Sequence, residues 1–125
     1  TGLACYLTGW RDARTASRGA FAGQLFETFV VVEILKSYLH RGLEPRLFYF
    51  RTKEKMEVDL IIEKNGKLLP VEIKLSSMVR PSDLKGIHAL KKTGFAVGKG
   101  VVIAPVGEGY PVDRSILAVS PDEIS

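Results

Sequence analysis

Hydrophobic and polar positions alternate most clearly in the middle of the chain. Residues 56–62 and 68–75 are two runs of alternating or β-branched apolar residues, and they flank Lys64-Asn65-Gly66-Lys67. Both central residues of a two-residue hairpin loop need φ > 0, which Asn-Gly tolerates, so the pattern predicts a tight antiparallel hairpin. A loop of that length also fixes the register. With Lys64 paired to Lys67, Asp59 falls opposite Glu72 and Glu57 opposite Lys74, all four on one face. Counted outward from the closing pair, Asp59 and Glu72 form a non-hydrogen-bonded pair, whose Cα atoms lie about 4.5 Å apart with their side chains at closest approach.

The other periodicities predict elements around this hairpin. Residues 23–40 read as the longest helix, ended by Arg41-Gly42. Leu25, Phe26, Phe29, Val30, Val31, Val32, Ile34 and Leu35 make it apolar on most sides, so it is expected to lie buried against a sheet. Residues 47–51, after Glu44-Pro45, read as a strand beside the hairpin that completes a meander. Pro70 fits this register, because opposite Ile61 it needs no N–H towards that neighbour. Residues 76–81 read as a loop and 82–92 as a second helix, with Ser82 as N-cap and Asp83 in its first turn. Residues 100–105, GVVIAP, are wholly apolar and suit a buried parallel strand. Residues 116–119 are expected as an edge strand, after a turn at 107–110. At the start, residues 1–10 read as a short helix or turn with Trp10 as a core or interface anchor, and residues 11–19 as a polar, arginine-rich connector. The resulting order is αβββαβ: an α/β fold with a mixed central sheet, an antiparallel hairpin and flanking helices.

Composition narrows the class. At 125 residues the chain is expected to form one domain. Eighteen Lys and Arg against 14 Asp and Glu give a formal charge of +4 and a pI near 9.3, a modest excess that suits an anionic partner without requiring one. Cys5 is the only cysteine, which excludes a disulfide framework or cysteine metal site within the chain and leaves a small apolar packing role. No GxxxxGK[ST] phosphate loop occurs; GFAVGKG at 94–100 has the wrong spacing and precedes a strand. With no signal peptide and no apolar run of about 18 residues, the expectation is a soluble, cytoplasmic domain without membrane association.

The charges of the hairpin are where chemistry is expected. Like charges directly opposite destabilise a sheet, so Asp59 and Glu72 need a counter-charge. Either Lys74 with Lys53 or Lys55 neutralises a half-exposed face, or a hard divalent cation, Mg²⁺ or Mn²⁺, binds between the carboxylates. Their position among Val58, Leu60 and Ile62, beside buried surface, favours the cation. Helical geometry puts Glu27 next to Val30, Val31 and Ile34, where a carboxylate needs a partner such as Arg51 or Lys74. Glu33 lies on another side and reads as a surface group. His88, beside an apolar face, reads as packed or exposed rather than catalytic.

An aspartate on one strand and Glu-x-Lys on the next, Asp59 then Glu72-Ile73-Lys74, resembles the core motif of the PD-(D/E)XK nuclease-like superfamily. More closely, TGLACYL at the start, GQLFETFVVVEI in the long helix, YFRTKEKMEVDLII and LPVEIKL together resemble, over nearly the whole chain, the DUF4143 domain found at the C-terminus of AAA+-like bacterial and archaeal ATPases. The resemblance implies a restriction-endonuclease-like core in residues 21–125. Residues 1–20 would then be a connector from an upstream ATPase region, where any ATP would bind, and the start at Thr1 without an initiator methionine agrees with a fragment.

For chemistry the resemblance implies Mg²⁺- or Mn²⁺-dependent phosphodiester hydrolysis, with DNA a better substrate candidate than RNA. Asp59, Glu72, the backbone carbonyl of Ile73 and Glu27 would be the metal ligands. Lys74 would orient the attacking water or stabilise the pentacoordinate phosphate. Arg51, Lys53 and Lys55, at the mouth of the hairpin, would hold flanking phosphates. Glu57 would position Lys74, or serve a second metal. The alternative function is a non-catalytic nucleic-acid- or protein-binding module of the parent ATPase, and a third reading has Glu72 and Lys74 simply paired with no metal. The expected partners are nucleic acid and the chain's own upstream ATPase domain.

Overall fold

The apolar run that begins near Gly23 forms helix α1, Phe21–His40, in the computed structural model of the protein, which describes residues 8–9 and 21–124. The helix ends where Gly42 takes φ +71° and a Schellman motif closes it, Gly42 N–H donating to Leu39 O and Leu43 N–H to Tyr38 O, both at 3.0 Å. Its sheet-facing side is Val30, Val31 and Ile34, all buried, and burying each such side chain contributes about 1.5–3 kcal/mol. They pack on Leu60, Ile62, Val71, Ile73 and Ile103.

The sheet is built from β1 (Thr8–Gly9), β2 (Arg46–Arg51), β3 (Glu57–Lys64), β4 (Lys67–Ile73), β5 (Gly100–Ile103), β6 (Tyr110–Asp113) and β7 (Ile116–Val119). Their spatial order is β1-β2-β3-β4-β5-β7-β6. The first four are antiparallel neighbours, β4 runs parallel to β5 and β5 to β7, and β6 closes antiparallel on β7. Between β4 and β5 the chain makes a 3-10 turn, Pro81–Leu84, and helix α2, Lys85–Lys91. Ile87 and Leu90 of α2 pack with Phe50, Val58, Ile61 and Val102. The mixed sheet therefore lies between α1 on one face and α2 on the other, an α/β architecture that contains the expected αβββαβ order.

The hairpin forms as its turn residues require. Asn65 has φ 53° and Gly66 φ 79°, and the pairs Lys64↔Lys67, Glu63↔Leu68, Ile62↔Leu69, Ile61↔Pro70 and Leu60↔Val71 have the register fixed by that loop. On the other side of β3 the pairing shifts. Phe48 faces Ile61 but Phe50 faces Val58, so Tyr49 stands opposite two residues, Asp59 and Leu60. This bulge reverses the alternation. Val58 and Ile61 belong to the α2-side core and Leu60 and Ile62 to the α1 side, whereas strict alternation groups Val58 with Leu60 and Ile62.

Three local expectations are corrected. Ser82 is not the N-cap of the second helix; it lies inside the 3-10 turn Pro81–Leu84, whose own N-cap is Arg80, and Leu84 is the N-cap of α2. The strand Ile116–Val119 is interior, between β5 and β6. The edge is β6, which begins at Tyr110, the last residue of the stretch read as a turn, and Pro111 within it is tolerated because an edge strand has one side with no ladder to donate to. Thr8 and Gly9, read as part of a helix or turn, pair with Tyr49 and Phe48. The readings for residues 1–7 and 10–20, Cys5, Trp10 and the arginine-rich connector among them, lie outside the described residues.

Candidate metal and phosphate site

Strand direction gathers the candidate residues at one end of the sheet. Strands β2, β4, β5 and β7 finish there and β3 begins there, so Asp59 near the start of β3 meets Glu72 and Ile73 at the end of β4. A cavity of about 360 Å³ opens at this place, lined by Asp59, Glu72, Ile73, Lys74, Asp83 and Gly23 with Leu75 and Ser76. The two carboxylates and the lysine singled out in the sequence thus share one cavity.

Asp59 is 2% exposed, and the bulge explains its local role. In a regular antiparallel ladder the N–H of Ile73, two residues beyond Val71, would seek a carbonyl on β3. Here Asp59 Oδ2 accepts it, at 2.8 Å. The carboxylate thereby replaces a ladder acceptor and is fixed at the cavity wall. An extended residue directs its N–H and C=O to the same side, so the Ile73 carbonyl also faces β3. Lys74 turns the other way, its N–H donating to Ile103 O at 2.9 Å.

Beyond the strand end the partners differ from those expected. Lys74 Nζ lies 2.8 Å from Asp83 Oδ1. Glu57, expected to position Lys74, instead pairs with Arg51, Nε to Oε1 at 3.6 Å, because β4 ends at Ile73 and Lys74 leaves the ladder before reaching Glu57. Asp83 Oδ2 accepts the Arg80 N–H at 2.7 Å, so both oxygens of this carboxylate are engaged. Burial pushes its carboxyl up, but the hydrogen bond from Lys74, the Arg80 N–H and the two positive charges together hold it below the ordinary value of 3.8.

Glu27 is buried, 2% exposed, on the side of α1 that carries Val30, Val31 and Ile34. It lies one turn along from Gly23, which lines the cavity, so helical spacing directs it to the same region. Lys53 and Lys55 sit exposed in the turn between β2 and β3. Met56 N–H donates to Thr52 Oγ1 and Thr52 N–H to Met56 O there, and Lys55 takes φ 64°. With Arg51 they stand at the same end of the sheet as the cavity without lining it.

The donor set suits a hard cation. Among the described residues no three His, Cys, Asp or Glu side chains converge as a ready-made metal cage. Mg²⁺ commonly keeps several waters and needs only one or two carboxylates from the protein, which Asp59 and Glu72, with the Ile73 carbonyl, supply at this cavity. Sequence reasoning missed Asp83 as a site residue. The signal was Arg80-Pro81-Ser82-Asp83: an acid three residues after the N-cap reaches back to its N–H, which turns this carboxylate towards the end of β4. No helix of the described residues is long and apolar enough to cross a membrane.

Comparison with known proteins places these residues in a family. A family profile described as a domain of unknown function, DUF4143, matches residues 22–123. Among curated proteins, the uncharacterized protein Rv2008c of Mycobacterium tuberculosis is 27% identical over 125 residues, covering 99% of this chain and 26% of its own length. The uncharacterized protein Mb2031c of Mycobacterium bovis aligns with the same identity and coverage. The chain spans about a quarter of the length of these relatives.

Proposed function

We propose, from the premise that this chain belongs to the DUF4143 family, that it is a metal-dependent nuclease-like domain of PD-(D/E)XK type, acting on phosphodiesters of nucleic acid, DNA before RNA. We further infer that it serves as the C-terminal part of an AAA+-like ATPase. The observation that carries the reading is the convergence of Asp59, Glu72, Ile73 and Lys74 on one cavity, reached from two strands by a fixed register and a bulge. Asp59, Glu72 and the Ile73 carbonyl would hold Mg²⁺ or Mn²⁺, with Glu27 as a direct or water-mediated addition from α1. When bound, such an ion polarises a phosphate and lowers the pKa of a water.

The chain's own groups supply the rest. Asp59, anchored on the Ile73 N–H, keeps one carboxylate geometry through the reaction and so loses little to reorganisation. Lys74 offers an ammonium to a phosphate oxygen as negative charge develops. Arg51, Lys53 and Lys55 would hold flanking phosphates and fix register on the strand.

A second reading, a non-catalytic module that binds nucleic acid for its parent ATPase, is favoured by one feature: the Lys74 ammonium already has Asp83 as counter-ion. Cleavage assays with Mg²⁺ and Mn²⁺ on single-stranded and duplex DNA and RNA separate the two. Under the nuclease reading Lys74→Ala and Asp59→Asn each lose about 10²-fold or more in rate. If the wild-type chain cleaves none of these substrates with either metal, yet binds them with a salt dependence unchanged by Asp59→Asn, the binding-module reading replaces it.

A further inference from the structure

We infer that Asp83 is the positioning residue for Lys74, holding its ammonium over the cavity through the Nζ–Oδ1 contact of 2.8 Å; its catalytic meaning rests on the nuclease reading. A lysine on a strand end is poorly placed by its own chemistry. Its four-carbon stem samples many rotamers and its three donors rotate. Something rigid has to fix it, and Asp83 is rigid in several respects.

The Asp83 carboxylate is gripped at its second oxygen by the Arg80 N–H, 2.7 Å, while Asp83 N–H donates to Arg80 O at 2.9 Å. Pro81 presets the backbone of the turn between them. The next residue, Leu84, is buried in the core with Ile87 and Leu90, so the turn is tied to the body of the domain. The Asp83 side chain is 13% exposed against 32% for Lys74, and both line the cavity with Asp59 and Glu72. Asp59 and Glu72 line the same cavity as Lys74, and the contact with Asp83 ties the ammonium to the turn ahead of α2. The depressed Asp83 carboxyl is in keeping with an anion kept charged for this task.

Asp83→Asn tests the assignment with little disturbance of the turn, since the amide oxygen still accepts from Arg80 N–H. For a positioning residue one contact removed from the chemistry, kcat is expected to fall about 10–100-fold with KM nearly unchanged. Asp83→Glu is expected to recover part of the loss, and the effect of Asp83→Asn is expected to vanish when Lys74 is already Ala. An equal loss in the Lys74→Ala background, or an effect on KM alone, overturns the inference. A second readout needs no turnover. The Lys74 side-chain ¹⁵N signal, slowed in hydrogen exchange by its contact, is expected in the wild-type chain and absent in Asp83→Asn, and persistence of that signal overturns the inference. If the signal is lost on substitution while the wild type cleaves nothing, Asp83 still holds Lys74 and the nuclease reading alone has failed.

Discussion

On the nuclease reading Asp59 has two duties that can be measured apart. Its Oδ2 satisfies the buried Ile73 N–H at the bulge, and a buried donor left without its acceptor costs about 1–3 kcal/mol. Asp59→Ala is therefore expected to lower unfolding free energy by about that amount in urea titrations, while Asp59→Asn, which keeps an acceptor oxygen, loses less stability but equally loses metal-dependent activity. Asp83 gives a pH signature. Its folded carboxyl titrates below the ordinary 3.8, so its stabilisation is complete above that value and is lost as pH falls through the lower folded value. Thermal melts between neutral pH and pH 2 should show wild type losing stability more steeply below pH 4 than Asp83→Asn does. At this scale the nearness of Asp59, Glu72 and Lys74 was legible in the sequence, because a two-residue turn fixes the register as far as Leu60↔Val71 and the three lie just beyond it at one cavity. The partner of Lys74 was not. It depends on how the chain folds back over the nine positions from Lys74 to Asp83, and short-range pairing rules favoured Glu57, which pairs with Arg51.

Elements show the same division. Asn65-Gly66 could be read from local conformational preference alone, and Gly66 at φ 79° makes Gly66→Ala cost about 1–2 kcal/mol through strain. The bulge could not be read. Val58-Asp59-Leu60 alternates without a Gly or Pro to mark a break, and only the two cores, which claim Val58 for one face and Leu60 for the other, require the extra residue. Strand β6 was hidden by Pro111 and its shortness, which an edge tolerates. Helix α2 meets β3 at Gly86, where an added Cβ would stand 1.7 Å from Glu57 O. Gly86→Ala is accordingly expected to push α2 off the start of β3 and cost about 1–3 kcal/mol or more in chemical denaturation, with loss of cavity function because Asp59 and the Asp83 turn are both supported there.

For the whole molecule, function depends on where the strand ends fall. One mixed sheet between α1 and α2 brings residues from β3, β4, the turn before α2 and the first turn of α1 to a single cavity, while Arg51, Lys53 and Lys55 stand at the same end of the sheet. The layer order was legible because the long apolar run of α1 and the short runs of the hairpin are of distinct lengths, and the parallel β5 announced itself as a continuous apolar stretch. The relatives of this chain are about four times its length, and it aligns with about a quarter of each. The central claim, that Asp59 and Glu72 form a divalent cation site, is tested most directly by calorimetric titration of the chain with Mn²⁺. Saturable binding that disappears in Glu72→Ala and survives in Lys53→Ala is expected; titrations of wild type and Glu72→Ala that coincide would contradict it.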